Sequence, residues 1–433
     1  MPHPTPAAPT HILRAHRAAI SALHISPNNA LVYSGDASGW VFVTSTRTLR
    51  TITSWQAHTD AILGLEEVGN VLITHGRDNK LHAWPRPREL PASAQLGGSA
   101  VPVAGASTQQ QEQWKPAYTM DVNALNYCRF SLLHRSGSEP LIALPNLVDS
   151  SCADIWELPS RDRLHAASKP KDAPAVPLDG RGNDKTGIIM SLHLFQTTTS
   201  PSSSSSMPHL RLLCAYEHGG VILRQCIAPA GQKTVEGKGW EVIWTSKVHA
   251  ESIMAMAVTR DNALALTVSA DHLIGRYDLN APEPNAASTT HRTKHPGNAC
   301  IAIRDDGRVC AVGGWDGGIR LYSTKSLKPL GTLRYHKTSV QALVFAHSRT
   351  RTTTQYQCAT TEDGRTRAQE GGDAIGIPDE ETSTKSLNTA EHITDDSESD
   401  DEGDSAERER WLVAGGKDNR LTIWALQSFE RRS

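Results

Sequence analysis

Four copies of one short pattern constrain this chain more than any other feature: a strand, a tight turn holding an Asp, and a second strand ending in an aromatic. They are GRDNKLHAW (76–84), SADHLIGRY (269–277), AVGGWDGGIRLYS (311–323) and GKDNRLTIW (416–424). The aromatic stands six residues after the Asp in each, as at Asp78 and Trp84, Asp271 and Tyr277, Asp316 and Tyr322, and Asp418 and Trp424. A His precedes three of these Asp residues at nearly constant distance: His58 by 20 positions, His249 by 22 and His295 by 21. His336 stands 82 residues ahead of Asp418, a gap that implies roughly sixty inserted residues within one repeat. The spacing predicts a hydrogen bond from each His, in the loop entering one strand, to the turn Asp of the same repeat.

The distances from His16 to His58 (42), His249 to His295 (46) and His295 to His336 (41) fall close to the 40 to 45 residues that one four-stranded propeller blade requires. These features resemble the WD40 repeat, and counting from the anchors gives seven blades. The chain is therefore expected to be all-β, a seven-bladed WD40 β-propeller spanning 10–427. The blades run roughly 16–53, 58–118, 119–168, 187–248, 249–290, 295–334 and 336–426. THILRAH (10–16) offers a lone strand and RLTIWAL (420–426) a third strand with little after it, so residues 10–15 are expected to complete the last blade and close the ring. Three blades are degenerate. In the first, Ser38 and Thr44 occupy the Asp and aromatic positions; the third, read over 121–130 and 152–158, keeps Trp156 but lacks both His and Asp; the fourth has His218 and Arg224 there. Alternating runs such as RLTIW and GIRLY are expected to bury one face per strand.

Between the strands lie insertions at 85–113, 159–186, 196–208 and 347–410, rich in Pro, Ser, Gly or charge and expected to be flexible. The last contains DDSESDDEGD (395–404), seven acidic residues in ten. It is poor in large apolar residues and cannot bury enough surface to offset its ordering entropy, so disorder is expected. Ser397 and Ser399, each three positions ahead of an acidic residue, suit an acidophilic kinase. Apart from that run the chain carries 44 basic against 39 acidic residues, with no Lys/Arg cluster and no basic stripe with interleaved aromatics; direct nucleic-acid binding is not expected. There is no signal peptide and no apolar run near the length of a membrane span. The seven Cys form no C-x-x-C pair, which points to a reducing compartment.

Catalytic signals are scarce. GRGNDKTG (180–187) approaches a phosphate loop, but Asp184 stands before Lys185 where Gly is required. The 19 His are spread at blade spacing and not at metal-ligand spacing, so no metal or other cofactor is expected. The repeated His and Asp pairs read as structural. What a propeller offers is surface. Arg77, Trp315 and Lys417, each just before a turn Asp, are expected at the rim with Trp55 nearby, as candidates for partner binding.

The longer strings ITHGRDNKLHAW (73–84), MDVNALNYCRF (120–130), GNACIAIRDDGRVCAVGGWDGGIRLYS (297–323) and WLVAGGKDNRLTIWAL (411–426) resemble the fungal ASTRA-associated WD-repeat family. That family is related to the G-protein β-subunit-like propellers. The resemblance implies a non-enzymatic scaffold subunit of a nuclear assembly linked to chromatin remodelling and to maturation of phosphatidylinositol-3-kinase-related kinases. Its implied partners are RuvB-like AAA+ ATPases, a kinase-related pseudokinase and kinase-maturation co-chaperones, in the nucleus and secondarily the cytoplasm. The coiled-coil helix that G-protein β subunits use to hold a γ partner is missing ahead of the first blade, so membrane signalling is not expected. A generic WD40 adaptor or a reader of a modified peptide is the alternative.

Overall fold

The computed structural model describes residues 8–87, 114–135, 137–168, 186–197, 208–229, 231–281, 287–348 and 406–426. Its strands form seven sheets arranged in a ring, a seven-bladed β-propeller. They belong to one unit, Met1–Ser348 with Glu407–Ser433; the other, Arg349–Ala406, lies outside the described residues except for Ala406. The readings made for 395–404, Ser397 and Ser399 fall there too.

The chain enters through β1 (His11–Leu13). Blade I is β2 (Ile20–Ile25), β3 (Leu31–Asp36), β4 (Trp40–Ser45) and β5 (Thr51–Gln56); blade II is β6 (Ile62–Val68), β7 (Val71–Gly76), β8 (Lys80–Pro85) and β9 (Tyr118–Asp121). Blade III holds β10 (Ser131–Arg135), β11 (Ser138–Pro145), β12 (Ala153–Glu157) and β13 (Asp162–Ser168). Blade IV holds β14 (Ile189–Gln196), β15 (Leu210–Tyr216) and β16 (Gly220–Cys226), then sends β17 (Thr234–Val235) to pair in parallel with β13 before β18 (Trp240–Lys247) completes it. Blade V is β19 (Ile253–Val258), β20 (Leu264–Ser269), β21 (Leu273–Asp278) and β22 (Ser288–Arg292). Blade VI is β23 (Asn298–Ile303), β24 (Val309–Gly314), β25 (Gly318–Ser323) and β26 (Pro329–Arg334). Blade VII is β27 (Val340–Phe345), β28 (Trp411–Gly416) and β29 (Leu421–Ala425), completed by β1.

Closure follows the sequence expectation. His11, Ile12 and Leu13 lie opposite Ile423, Thr422 and Leu421, and the Thr10 N–H donates to the Ile423 carbonyl at 2.8 Å. Pairing with β1 covers the outer edge that β29 would otherwise leave bare.

Two expectations are corrected. The segment 121–130 is not a blade III strand: Tyr118–Asp121 forms the outer strand of blade II, and a loop follows until Ser131. Nor do RLTIW and GIRLY bury a single face. The middle strands β24 and β28 bury all their residues, and β25 and β29 all but the last, because each blade is covered on both sides by its neighbours. Apolar clusters accordingly straddle blade boundaries. Ile73, Leu81 and Met120 of blade II pack with Leu132 and Ile142 of blade III, and Ile20 and Val32 of blade I with Val413 and Ile423 of blade VII.

Connections between blades, and turns between the second and third strands of each blade, share one face of the ring, here called the turn face. The first strand of every blade lines the central channel.

Candidate interaction surface

On the turn face each turn Asp bonds the backbone N–H two residues on, shaping the turn. Asp78 accepts from Lys80, Asp271 from Leu273, Asp316 from Gly318 and Asp418 from Arg420. In blade II, His58 Nδ1 meets Asp78 at 2.8 Å and Nε2 meets the Thr74 hydroxyl at 2.9 Å, to which Trp84 Nε1 also donates. Blade V repeats this with His249, Asp271, Thr267 and Tyr277. Blade VII bonds His336 to Asp418, but its hydroxyl is Thr422, in register opposite Ala414, which holds the position of Thr74. The hydroxyl can come from either of two cross-strand neighbours because both project toward the same imidazole.

Blades I and VI depart from the sequence reading. His16 of blade I is fully engaged, with Nδ1 on Asp36 at 2.9 Å and Nε2 on Ser34 at 2.7 Å. Asp36 lies two residues ahead of Ser38, at the position filled by Gly76, Gly314 and Gly416 in other blades. In those a Cβ would intrude: at Gly76 it would sit 2.3 Å from His58 Nδ1, and at Gly416 2.4 Å from His336 Nδ1. That position holds Gly in blades II and VII, a small Ser269 in blade V, and in blade I the carboxylate itself. In blade VI the expected His295 to Asp316 bond is not made. His295 is exposed, and Asp316 is bound instead by the buried guanidinium of Arg320. Blade IV, with His218 and Arg224 at the two positions, buries Arg224 and ties it to the Tyr216 hydroxyl at 2.9 Å.

In blade II these bonds act on the turn carboxylate. Burial alone would raise the Asp78 carboxyl, yet the hydrogen bonds from His58 and the Thr59 N–H outweigh it and hold the group at about 2. His82, its ring centroid 4.7 Å from that of His58, is depressed to about 4 by burial and by His58. His58, Asp78 and His82 bring three potential metal-ligand atoms within 4.8 Å, but Nδ1 and Nε2 of His58 already hold Asp78 and Thr74, and His82 Nδ1 holds Thr119.

The four rim candidates separate. Trp55 is corrected: it is buried, stacked 4.4 Å from Trp114 and edge-on to Trp84, so it packs between strands and presents no ring to a partner. Arg77 lies with its guanidinium 4.1 Å above the Tyr127 ring. Trp315, 50 % exposed, and the exposed Lys417 stand in the turns of blades VI and VII, apart from Arg77 in blade II.

Around Arg77 the structure gathers an apolar patch that the sequence reading missed. Leu125 (67 % exposed), Tyr127 (59 %), Leu147 (51 %) and Val148 (78 %) project from two loops of the turn face, 122–130 and 146–152. Buried amides hold these loops together: Asn123 Nδ2 donates to the Asn146 carbonyl and the Ser150 hydroxyl, and Asn126 Nδ2 to the carbonyls of Ser150 and Ile189. Asn146 Oδ1 in turn accepts the N–H groups of Val148 and Asp149. Tyr127 sits at φ 53°, an uncommon conformation for a bulky residue, which aims its ring outward beneath Arg77. The composition of MDVNALNYCRF carried the signal: two Asn alternate with apolar residues, which reads as a strand but builds a stapled loop.

A second group missed from sequence lies in the channel. His24, Glu66 and His134, from blades I, II and III, interact there together with Arg129. His134 Nε2 approaches Glu66 Oε1 at 3.8 Å, and the neighbouring carboxylate raises this imidazole. Burial pushes His24 down to about 4. Below them, at the other face, His347 and Arg260 share Asp305 at 3.1 and 3.2 Å, and Asn29 clasps the His347 backbone through both its amide atoms. This latch joins blades V, VI, VII and I.

A family model described as ASTRA-associated protein 1 matches residues 9–357. The chain is similar to ASTRA-associated protein 1 of Penicillium rubens, 28% identical over 463 residues covering 97% of both chains. The same protein of Verticillium alfalfae is 29% identical over 431 residues, 96% of this chain and 92% of the relative. A further relative is the mouse guanine nucleotide-binding protein subunit beta-like protein 1, 26% identical over 357 residues, 79% of this chain and 91% of its own.

Proposed function

Because this chain belongs to the ASTRA-associated protein 1 family, we propose that it is a non-catalytic scaffold subunit of the ASTRA complex. Within that reading it acts in the nucleus, in chromatin remodelling and in maturation of phosphatidylinositol-3-kinase-related kinases, alongside RuvB-like ATPases and kinase-maturation co-chaperones.

The observation that carries the scaffold reading is the stapled apolar patch of Leu125, Tyr127, Leu147 and Val148. Four large apolar side chains held outward by buried Asn hydrogen bonds lose little conformational freedom on docking, and such a patch marks a protein-binding surface. The His and carboxylate pairs support the same reading. His16, His58, His249 and His336 each have both ring nitrogens engaged, one by a carboxylate and one by a hydroxyl, and none of the four is poised to take a proton from a substrate.

The test is quantitative affinity purification of the tagged full-length chain against a variant carrying Leu125→Ser and Val148→Ser. Selective loss of partner subunits with an unchanged melting temperature supports the reading. Undiminished recovery of those subunits refutes docking through this patch.

A further inference from the structure

The turn face carries a second surface, on the arc running from blade V through blades VI and VII to blade I, and its chemistry differs from that of the apolar patch. Backbone contacts make the arc continuous. The Trp315 N–H donates to the Gly297 carbonyl, the α-carbon of Gly317 lies against the carbonyls of His336 and Thr338, the Lys417 N–H donates to Ser339, and Asn419 Nδ2 donates to the Arg17 carbonyl. Along these loops stand Lys294, Lys337, Lys417 and Arg17, all exposed, and none forms an ion pair among the described residues. The arc's turn carboxylates are already engaged, Asp271 by His249, Asp316 by Arg320, Asp418 by His336 and, at the blade I end, Asp36 by His16. Just beyond the two ends of this arc the same face exposes Asp60 and Glu251, and farther round Asp121 and Glu217.

Among the described residues, Trp315 is the most exposed large apolar side chain along these loops. Its ring lies flat over Gly297, whose φ of 77° and missing side chain admit it: a Cβ there would sit 2.7 Å from the indole. Backbone and ring are thus both fixed while half of the side chain faces solvent. A preorganised Trp on a run of loops that carry unpaired cations is the composition of a binding hot spot whose partner is acidic.

We propose that this arc, from Lys294 through Trp315 to Lys417 and Arg17, is a docking site for an acidic polypeptide segment carrying an apolar anchor. The anchor covers the Trp315 face and the carboxylates pair with Lys294, Lys337, Lys417 and Arg17. A nucleic acid fits less well. A single exposed aromatic gives no run of stacking platforms for successive bases. The surface is separate from the apolar patch, so the proposal stands or falls independently of the scaffold reading.

The experiment is fluorescence anisotropy on the full-length protein. The probe is a labelled synthetic peptide of Asp and Glu residues around a single Phe, with the peptide's Ala counterpart and a single-stranded oligonucleotide as comparisons. The acidic peptide should bind, weaken about tenfold when its Phe is replaced, and weaken by a similar factor with Trp315→Ala. Added salt should weaken it further. The double variant Lys337→Glu and Lys417→Glu should abolish acidic-peptide binding and gain affinity for the charge-reversed Lys and Arg peptide, a rescue that an unfolded variant cannot give. The variant carrying Leu125→Ser and Val148→Ser should bind the acidic peptide normally. Binding indifferent to Trp315→Ala and to the charge reversals, or tighter binding of the oligonucleotide than of the peptide, would overturn the proposal.

Discussion

Asp36 holds His16 from a position two residues closer to the start of the turn than Asp78 does for His58, yet the two hydrogen bonds are 2.9 and 2.8 Å. Blade I is therefore as strongly tied as blade II. Asp36→Ala leaves the His16 Nδ1 unpaired in a buried site and should cost about 2 kcal/mol, close to the cost of Asp78→Ala. Urea unfolding of the two variants beside the parent decides the matter; a loss below about 0.5 kcal/mol for Asp36→Ala would return blade I to the degenerate class.

Gly76→Ala should be among the most damaging single changes in the protein. The new Cβ would lie 2.3 Å from His58 Nδ1 and 2.7 Å from Asp78, so one of the two must move and the relay breaks. A loss of about 2 to 3 kcal/mol is expected. Gly331→Ala, where a Cβ meets nothing within 4 Å, is the control and should stay within about 0.5 kcal/mol.

Stability should fall as pH drops below neutrality. Burial depresses His75 to about 3, and His24, His82 and His165 to about 4. These groups stay neutral in the folded ring while the unfolded chain takes up protons from about pH 6.5 downward, so the unfolded state binds more protons and stability rises with pH across this window. Asp78 adds a separate loss at lower pH. Its folded pKa of about 2 lies below the unfolded value of about 3.9, so its contribution is complete above the latter and disappears as pH falls toward 2. Melting temperatures from pH 7 to pH 4 should fall steadily, and His75→Leu, which replaces a fully buried imidazole, should flatten part of that slope. An unchanged slope would mean His75 is not depressed.

Arg77→Ala should weaken partner capture modestly without touching the fold. It removes the guanidinium 4.1 Å above Tyr127, a contact worth about 0.5 to 1 kcal/mol where partly exposed, and frees the Tyr127 ring to move. Surface plasmon resonance against a recovered partner subunit should show a faster off-rate for this variant, and a smaller effect than for Leu125→Ser with Val148→Ser.

Seven blades and their closure could be read from the sequence because the repeat imposes the same Asp-to-aromatic spacing wherever the blade is regular. The details that could not be read all depend on contacts between distant residues. Trp55 looked like a rim aromatic, and only the return of the chain at Trp114 covers it. His295 matched the spacing, yet Arg320, four residues after Asp316 on the next strand, reaches the carboxylate instead. The channel group of His24, Glu66 and His134 draws one residue from each of three blades, each unremarkable in its own strand. The apolar patch was hidden because alternating Asn and apolar residues look like an amphipathic strand, while the Asn side chains in fact bond across to the neighbouring loop.

The pairing of β1 with β29 also fixes when the ring can close. Thr10 and Ala425 meet in the same blade although 415 residues separate them. On a translating ribosome the second strand of that pair emerges roughly 20 to 80 s after the first. For that interval the opening segment has no partner, and the apolar surfaces on either side of the unfinished seam stay uncovered. The growing chain thus passes through an open crescent, and any mutation that slows the last blade lengthens that exposure without altering a single contact in the finished ring.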